Sequence, residues 1–373
     1  MEDIVKRAWA EIDLGELEHN YREIRAHLPE GCRFLGIVKA DAYSHGAFTV
    51  ARELERLGAE YLAVACLDEA IALRDAGISA PIIILGTTSA RYAYTLKKYD
   101  LTQTVCSLEM ARELSFMLGE ETIKVHYKID TGMGRLGFSI DEALPGITKA
   151  LRLPNLVAEG IYTHFPVADD LEDGFTMEQF RMFQDIVDRI EENSGHKFEI
   201  RHCANSGAVI NYRETCLDMV RPGLALYGHY PAKEKGGLDL HPALQFKARI
   251  SAIHEHFPGE TISYGRKYTV EGKPIKAAVV SIGYADGLQR SLSGKMEMLI
   301  NGRRARQIGR ICMDMCMADV TNIPCQVGDE VIIFGGEGDN QVTLDELAEL
   351  AGTISYELLC AISPRVPRVY KQR

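Results

Sequence analysis

A lysine that closes an apolar run is the first residue of this chain with chemistry to offer. Lys39 follows Phe34-Leu35-Gly36-Ile37-Val38, where an ammonium group is costly to bury unless a strong partner or a Schiff base consumes its charge. Asp41, Tyr43, Ser44 and His45 follow within six residues, which favours a reactive lysine over one that merely leaves the core for solvent. Other apolar runs also end in polar groups. His126-Tyr127-Lys128-Ile129-Asp130 leads into Thr131-Gly132-Met133-Gly134-Arg135, Tyr162-Thr163 into His164, and Cys203-Ala204 into Asn205-Ser206-Gly207. Lys128 then lies in the wall of the core, while the glycines fold a loop that presents Arg135. Asn205-Ser206-Gly207 opening a helix offers a hydroxyl and backbone N–H groups to a phosphate. Arg221-Pro222-Gly223-Leu224 adds a glycine that allows close backbone approach. Taken singly, Ser206 can be a helix cap, Gly223 a packing glycine and His164 a buried histidine. Together they describe a phosphate-bearing cofactor facing a lysine.

Such groups converge only if the runs that carry them are parallel strands of one sheet. From about residue 33 to 230, short apolar runs alternate with amphipathic stretches about eight times. The strand candidates are 34–39, 61–66, 81–85, 103–106, 123–130, 157–164, 199–204 and 219–227; the clearest helices are 48–57, 67–76, 108–118, 143–151 and 176–193. Runs such as Ile82-Ile83-Ile84-Leu85 imply burial on both faces. The fold class is therefore α/β plus β: a (β/α)8 barrel of the TIM type over residues 11–234, then a β-rich domain over 235–373. A doubly wound sheet is the alternative, but Lys39-Ala40-Asp41-Ala42-Tyr43 lacks the glycine fingerprint expected after its first strand. The linker is Lys233-Glu234-Lys235-Gly236-Gly237, and Thr343 with Glu346 suggests a capping box on a late helix. Residues 1–10 are expected to lend a strand to the second domain.

A chain of 373 residues with net charge −11 suits two domains and opposes general attraction to nucleic acid or anionic membranes. The acidic start Met1-Glu2-Asp3 has no apolar stretch behind it, and no run reaches a membrane span, so a cytoplasmic protein is expected. Nine cysteines spread along the length read as reduced thiols. Cys312 and Cys316 have no second pair nearby, so no metal site is expected.

The chain resembles the bacterial alanine racemase family, over nearly its whole length and in order. The resemblance lies in Val38-Lys39-Ala40-Asp41-Ala42-Tyr43-Ser44-His45-Gly46, Lys128 with Gly132-Met133-Gly134-Arg135-Leu136-Gly137, Thr163-His164-Phe165, Asn205-Ser206, Arg221-Pro222-Gly223, Ser263-Tyr264-Gly265, Gly283-Tyr284-Ala285-Asp286-Gly287, Gly309-Arg310-Ile311-Cys312-Met313-Asp314 and Arg365-Val366-Pro367-Arg368. It implies a homodimer that uses pyridoxal 5′-phosphate (PLP) to interconvert L- and D-alanine, supplying D-alanine for peptidoglycan. By resemblance, Lys39 carries PLP as a Schiff base; Tyr43, Ser206, Gly223, Leu224 and Tyr356 hold its phosphate; Arg221 faces the pyridine nitrogen.

Racemisation needs acid/base groups on opposite faces of Cα. The resemblance assigns Lys39 to the D face and Tyr264, from the partner subunit, to the L face. A tyrosine is almost wholly protonated at neutral pH, so His164 with Arg221 behind it is the expected supporting network. Arg135 and Met313 are expected at the substrate carboxylate, and Asp314 and Tyr284 in support. Lys128 matches a lysine that is carbamylated in many members, and Asp170, Arg290 and Arg310 match the entrance channel. Ser44 stands where glycine is usual, and Met315 where glutamine is frequent. Three other readings remain in view: a racemase taking serine or basic amino acids, a non-catalytic PLP carrier, and a barrel aldolase without PLP.

Overall fold

The computed structural model describes residues 6–231, 236–338 and 340–371. Eight parallel strands follow one another around a sheet: β2 (Arg33–Ile37), β3 (Tyr61–Val64), β4 (Ile82–Ile84), β5 (Leu101–Val105), β6 (Ile123–Lys128), β7 (Leu156–Tyr162), β8 (Ile200–His202) and β9 (Met219–Val220), with β9 returning to β2. An isolated bridge between Asn205 and Arg221 spans the seam between β8 and β9, making a nearly closed barrel. Period-3.6 patterns supply the surrounding helices, among them α1 (Leu14–His27), α2 (Ala47–Leu57), α3 (Leu108–Leu118) and α4 (Phe175–Ser194). In α4 the buried Phe180, Phe183, Val187 and Ile190 recur every three or four residues, which lays one stripe on the core. Ser107 caps α3 by accepting the Met110 N–H.

The expected strand over 219–227 is only two residues long. Pro222 has no N–H for a ladder, and Leu224–Tyr227 winds instead into a 3-10 turn.

The chain forms two compact units. One runs from Glu16 to Ala42 and from Ala47 to His241; the other takes the chain up to Gly15, Tyr43–Gly46 and the chain from Pro242 onward. The expected linker residues Lys233–Lys235, and with them the boundary at 234, lie outside the described residues. The second unit is built on a nine-stranded sheet. Its strands are β1 (Ala8–Asp13), β10 (Leu244–His256), β13 (Ile275–Val280), β14 (Glu297–Ile300), β15 (Arg303–Ile308), β16 (Cys316–Asp319), β17 (Glu330–Glu337), β18 (Asn340–Val342) and β19 (Arg368–Lys371); β11 (Thr261–Ile262) and β12 (Tyr268–Thr269) form a separate hairpin. β1 runs antiparallel to β10 and parallel to β19. The Thr343 hydroxyl accepts the Glu346 N–H at the start of helix Leu344–Ala351.

Candidate active site

The barrel sets the Lys39 amine at the C-terminal end of β2 and follows it with an unusual turn. Ala40, Asp41, Ala42, Tyr43 and Ser44 all have φ between 52° and 66°. Left-handed backbone costs a non-glycine residue on the order of 1–2 kcal/mol, so five in succession persist only because their surroundings hold them. Glu69 accepts the Ala40 N–H at 2.7 Å, Val38 C=O accepts the Ala42 N–H at 3.0 Å, and Asp41 Oδ1 accepts the Ala47 N–H at 2.9 Å. Arg368 Nε donates to Ser44 C=O at 3.0 Å.

Around the mouth of the same barrel stand Lys128, Arg135, His164, Ser206, Arg221, Gly223 and Leu224, each at the end of a strand or in the loop or helical turn that follows it. The sequence reading brought these together, and the electrostatics of His164 report their convergence. Burial first, then the positive charges of Arg221, Arg135, Lys128 and Lys39, hold its imidazole well below the ordinary histidine range. Lys128 is buried, its Nζ lying 5.6 Å from the centre of the Tyr162 ring. Burial and the neighbouring Arg135 pull its amine down to about 8. The Arg135 loop is drawn in by a residue the sequence reading did not use: Asp130 accepts the N–H groups of Gly132, Gly134 and Arg135 at 2.8–3.0 Å.

Ser206 is not the helix cap; Asn205 is, accepting the Ala208 N–H at 3.0 Å. The Ser206 hydroxyl instead accepts the N–H of Gly223 at 2.9 Å and of Ala225 at 3.3 Å, which ties the Gly223 loop to the Ser206 side chain. Arg221 is wholly buried and donates to neutral acceptors: Thr163 C=O at 2.8 Å, Cys203 C=O at 3.0 Å, His202 Nδ1 at 2.9 Å and His164 Nδ1 at 3.4 Å. Among the described residues no carboxylate pairs with it. A buried cation of this kind suits a lone pair or an anionic ring, and the Ser206 hydroxyl, which keeps its own proton to donate, suits a phosphate oxygen. The residues present therefore fit PLP.

Arg221 also starts a line of buried groups absent from the sequence reading. A guanidinium can only donate, so His202 Nδ1 accepts and its proton sits on Nε2. His202 Nε2 then donates to His126 Nδ1 at 2.9 Å, and His126 Nε2 donates to Glu159 Oε2 at 3.1 Å. Lys124 completes the line at Glu159. Burial alone would raise the Glu159 carboxyl, but its bonds to His126 and Lys124 take it down to about 2. Tyr162 stacks on His202 at 4.6 Å and bonds Thr104 through its hydroxyl. The sequence signal was faint: histidines on β6 and β8, and Gly160 after Glu159. A Cβ at Gly160 would stand 2.6–2.8 Å from the His126 ring.

Asp170 belongs to the barrel unit, and the β-rich unit holds Tyr43, Tyr264, Tyr284, Arg290, Arg310, Met313, Asp314 and Tyr356. Tyr43 is buried with its ring 5.9 Å from that of Tyr356, and burial drives its phenol well above the ordinary tyrosine range. Tyr264 lies in a tight turn in which Ser263, Gly265 and Arg266 have positive φ. The Ser263 hydroxyl donates to Arg310 C=O at 2.7 Å, tying that turn to the Arg310 segment. The Tyr284 and Met313 loops are joined backbone to backbone: Tyr284 N–H donates to Cys312 C=O and Ala285 N–H to Met313 C=O, each at 3.0 Å. At Gly283 a Cβ would meet both carbonyl oxygens at 2.3 Å, so only glycine permits this approach. Asp314 is taken up by Arg365 at 2.7 Å. Arg365 also bonds the fully buried Asp286, as does Arg7. Asp286 and Arg365 thus hold the Tyr284 and Asp314 segments, a role spacing alone did not reveal.

A nearly closed parallel barrel with a lysine, a buried arginine and the Ser206–Gly223 contact at its mouth, joined in one chain to a β-rich domain, defines a lysine-bearing barrel enzyme. The family profile described as the alanine racemase N-terminal domain matches residues 12–231, and that of the C-terminal domain residues 243–370. Alanine racemase 1 of Clostridium acetobutylicum is 43% identical over 98% of this chain and 96% of its own length. The alanine racemase of Desulforamulus reducens is 45% identical over 97% of this chain and 98% of its own length. The solved alanine racemase of Clostridium difficile 630 superposes with TM-score 0.94 at 41% identity, covering 99% of this chain and 97% of that one. That of Bacillus anthracis with bound L-Ala-P gives 0.93 at 36% identity, over 100% and 96%. The chain belongs to the alanine racemase family and is an isomerase.

Proposed function

We propose that this protein interconverts L- and D-alanine by a two-base mechanism on PLP. The observation that carries the reading is Lys39 on its strained turn at a barrel mouth shared with Arg221 and the Ser206–Gly223 contact. PLP, when bound, supplies the electron withdrawal that acidifies the substrate Cα–H. Lys39 would hold it covalently; Tyr43, Ser206, Gly223, Leu224 and Tyr356 would take its phosphate. Arg221 would face the pyridine nitrogen without protonating it, because a guanidinium keeps its protons. Neutral His202 and His126 leave the guanidinium its protons, and an unprotonated ring nitrogen would make the cofactor a weaker electron sink, which limits side reactions.

Lys39 Nζ exchanges the proton on the D face and the Tyr264 hydroxyl on the L face, while His164, kept neutral, is the expected neighbour of the tyrosine. Arg135 and the Met313 backbone bind the substrate carboxylate, with Asp314 and Tyr284 setting the loops that present Met313. A carbamate on Lys128, formed from its neutral amine and CO2 with loss of a proton, would pair with Arg135. Within one chain Tyr264 is 71% exposed and Met313 53%, which suits residues that complete the site of a second copy in a homodimer. Asp170, Arg290 and Arg310 are read as channel residues. The product suits peptidoglycan supply in the cytoplasm. Packing of Tyr356 beside Tyr43 favours a small substrate side chain over serine or basic ones.

The test is conversion of L-alanine to D-alanine by the purified protein, followed by circular dichroism with and without added PLP, against a panel of L-amino acids. Alanine should be the best substrate, and Lys39→Ala should remove both turnover and the visible absorbance of the bound cofactor. Retained absorbance in Lys39→Ala, or faster turnover of a basic amino acid, would overturn the reading.

A further inference from the structure

Apart from the groups already described, helix α1 and the segment leading out of the barrel bring together two histidines and two acids. His19 and His241 stack with ring centroids 4.3 Å apart and planes 15° from parallel. One donor atom from each of His19, Asp239 and His241 lies within 4.8 Å of the others. His241 Nε2 is 3.3 Å from Asp239 Oδ2, and His19 Nε2 is 3.8 Å from the same oxygen. The remaining nitrogen of His241, Nδ1, bonds Glu16 Oε2 at 2.7 Å. That contact places the Nδ1 proton toward Glu16 and leaves Nε2 facing Asp239, where it would take a metal once its proton is released, as an outer carboxylate orients a metal-binding imidazole.

The backbone beneath these groups is fixed. The fully buried Asn20 donates to His241 C=O at 2.7 Å and accepts its N–H at 2.8 Å. The Tyr230 hydroxyl donates to Leu238 C=O and accepts the Leu240 N–H, at 2.7 and 2.8 Å. Asp239 is thus clamped on both sides while its side chain stays exposed.

We propose that His19, Asp239 and His241 form a site for a divalent cation of the zinc class, with Glu16 as the outer-shell carboxylate and water in the open position. Two imidazoles and one carboxylate are borderline ligands that suit Zn²⁺ better than Mg²⁺ or Ca²⁺. Zinc–ligand distances of about 2.0–2.1 Å require the donors to draw together. The Asp239–His241 separation already suits this, and an exposed Asp239 side chain can close the rest. His19 Nε2 bonds Asp239 C=O at 2.8 Å in the present arrangement, so binding requires its proton to move to Nδ1 or be released. The ion would fasten α1 to a segment more than two hundred positions away in the chain.

The direct test is titration of the tag-free holoenzyme with ZnCl2 by calorimetry at pH 7.5, exposed thiols blocked beforehand so that Cys66 and Cys360 do not compete. One equivalent per chain should bind. His19→Ala and His241→Ala should each lose at least about tenfold in affinity and Glu16→Ala about 10–100-fold, with racemase turnover unchanged in all three. Zinc should also raise the melting temperature of the wild type but not of His241→Ala. Absence of saturable binding to the wild type, or equal binding by both histidine variants, overturns the site and leaves a histidine held between two acids.

Discussion

At the scale of single residues, the site works by keeping groups in protonation states that solvent would not give them. Lys128 is the sharpest case. Its amine is buried beside Arg135 and drawn down to about 8, so a neutral, nucleophilic fraction grows as the pH rises through that value. With bicarbonate at alkaline pH, the intact protein should gain the mass of one CO2 per chain, and Lys128→Ala should not. An unchanged wild-type mass under native conditions would remove the carbamate from the mechanism. The second residue-scale prediction concerns Tyr264. Tyr264→Phe should lower turnover of both enantiomers by about 10²–10⁴-fold, the range of a lost acid/base group. On the proposed two-base mechanism, solvent-deuterium exchange at Cα of D-alanine should persist, since Lys39 would still serve that face. Equal loss of exchange from both enantiomers, or loss of bound cofactor, would count against opposite-face bases.

Elements decide how closely those residues meet, and between β6 and β7 a glycine is the device. Gly160 on β7 lies flat against the His126 ring, which in turn sets His202 and Arg221. Gly160→Ala places a methyl 2.6–2.8 Å from that ring, so the strand or the histidine must move, at about 1–3 kcal/mol. Chemical denaturation should show that loss, and with PLP placed against Arg221 as proposed, its absorbance should shift as Arg221 is displaced. An unchanged midpoint and spectrum would show that β7 absorbs the methyl elsewhere. The strands themselves were legible because β2 through β8 read as short apolar runs with buried faces. β9 was not, because Pro222 ends the ladder where hydropathy continues. The left-handed turn after Lys39 was equally hidden: Ala40, Asp41 and Ala42 show none of the glycines that positive φ favours, and bonds to Val38, Ala47 and the more distant Glu69 hold them there.

For the whole molecule, three histidines kept neutral inside the barrel govern its response to acid. Burial lowers His126, and burial with nearby cations lowers His164 and His202 further. An unfolded chain takes up a proton at each below about 6.5, whereas the fold does not, so stability should fall as pH drops from 7 to 5. Glu159 acts in a different window: with its folded value at about 2, its contribution is present above the ordinary carboxylate range and is lost only as pH falls below it. The melting temperature of the holoenzyme should therefore drop between pH 7 and 5, and His126→Gln should flatten that slope by about a third. Parallel slopes would show that His126 is not held neutral by the fold.

The amino-acid sequence by itself determined the family and the barrel followed by a β-rich domain, because hydrophobic periodicity and short motifs are local properties. Lys39, Lys128, Arg135, His164, Ser206 and Arg221 were all legible as polar groups closing apolar runs. Only the tertiary structure decided what each of them faces. It gave Ser206 to the Gly223 loop rather than to its own helix, Asp314 to Arg365, and Arg221 to a line of His202, His126 and Glu159 drawn from four different strand regions. Hydrogen bonding across a barrel depends on strand register and on where protons sit, and neither is written in the spacing of residues along the chain.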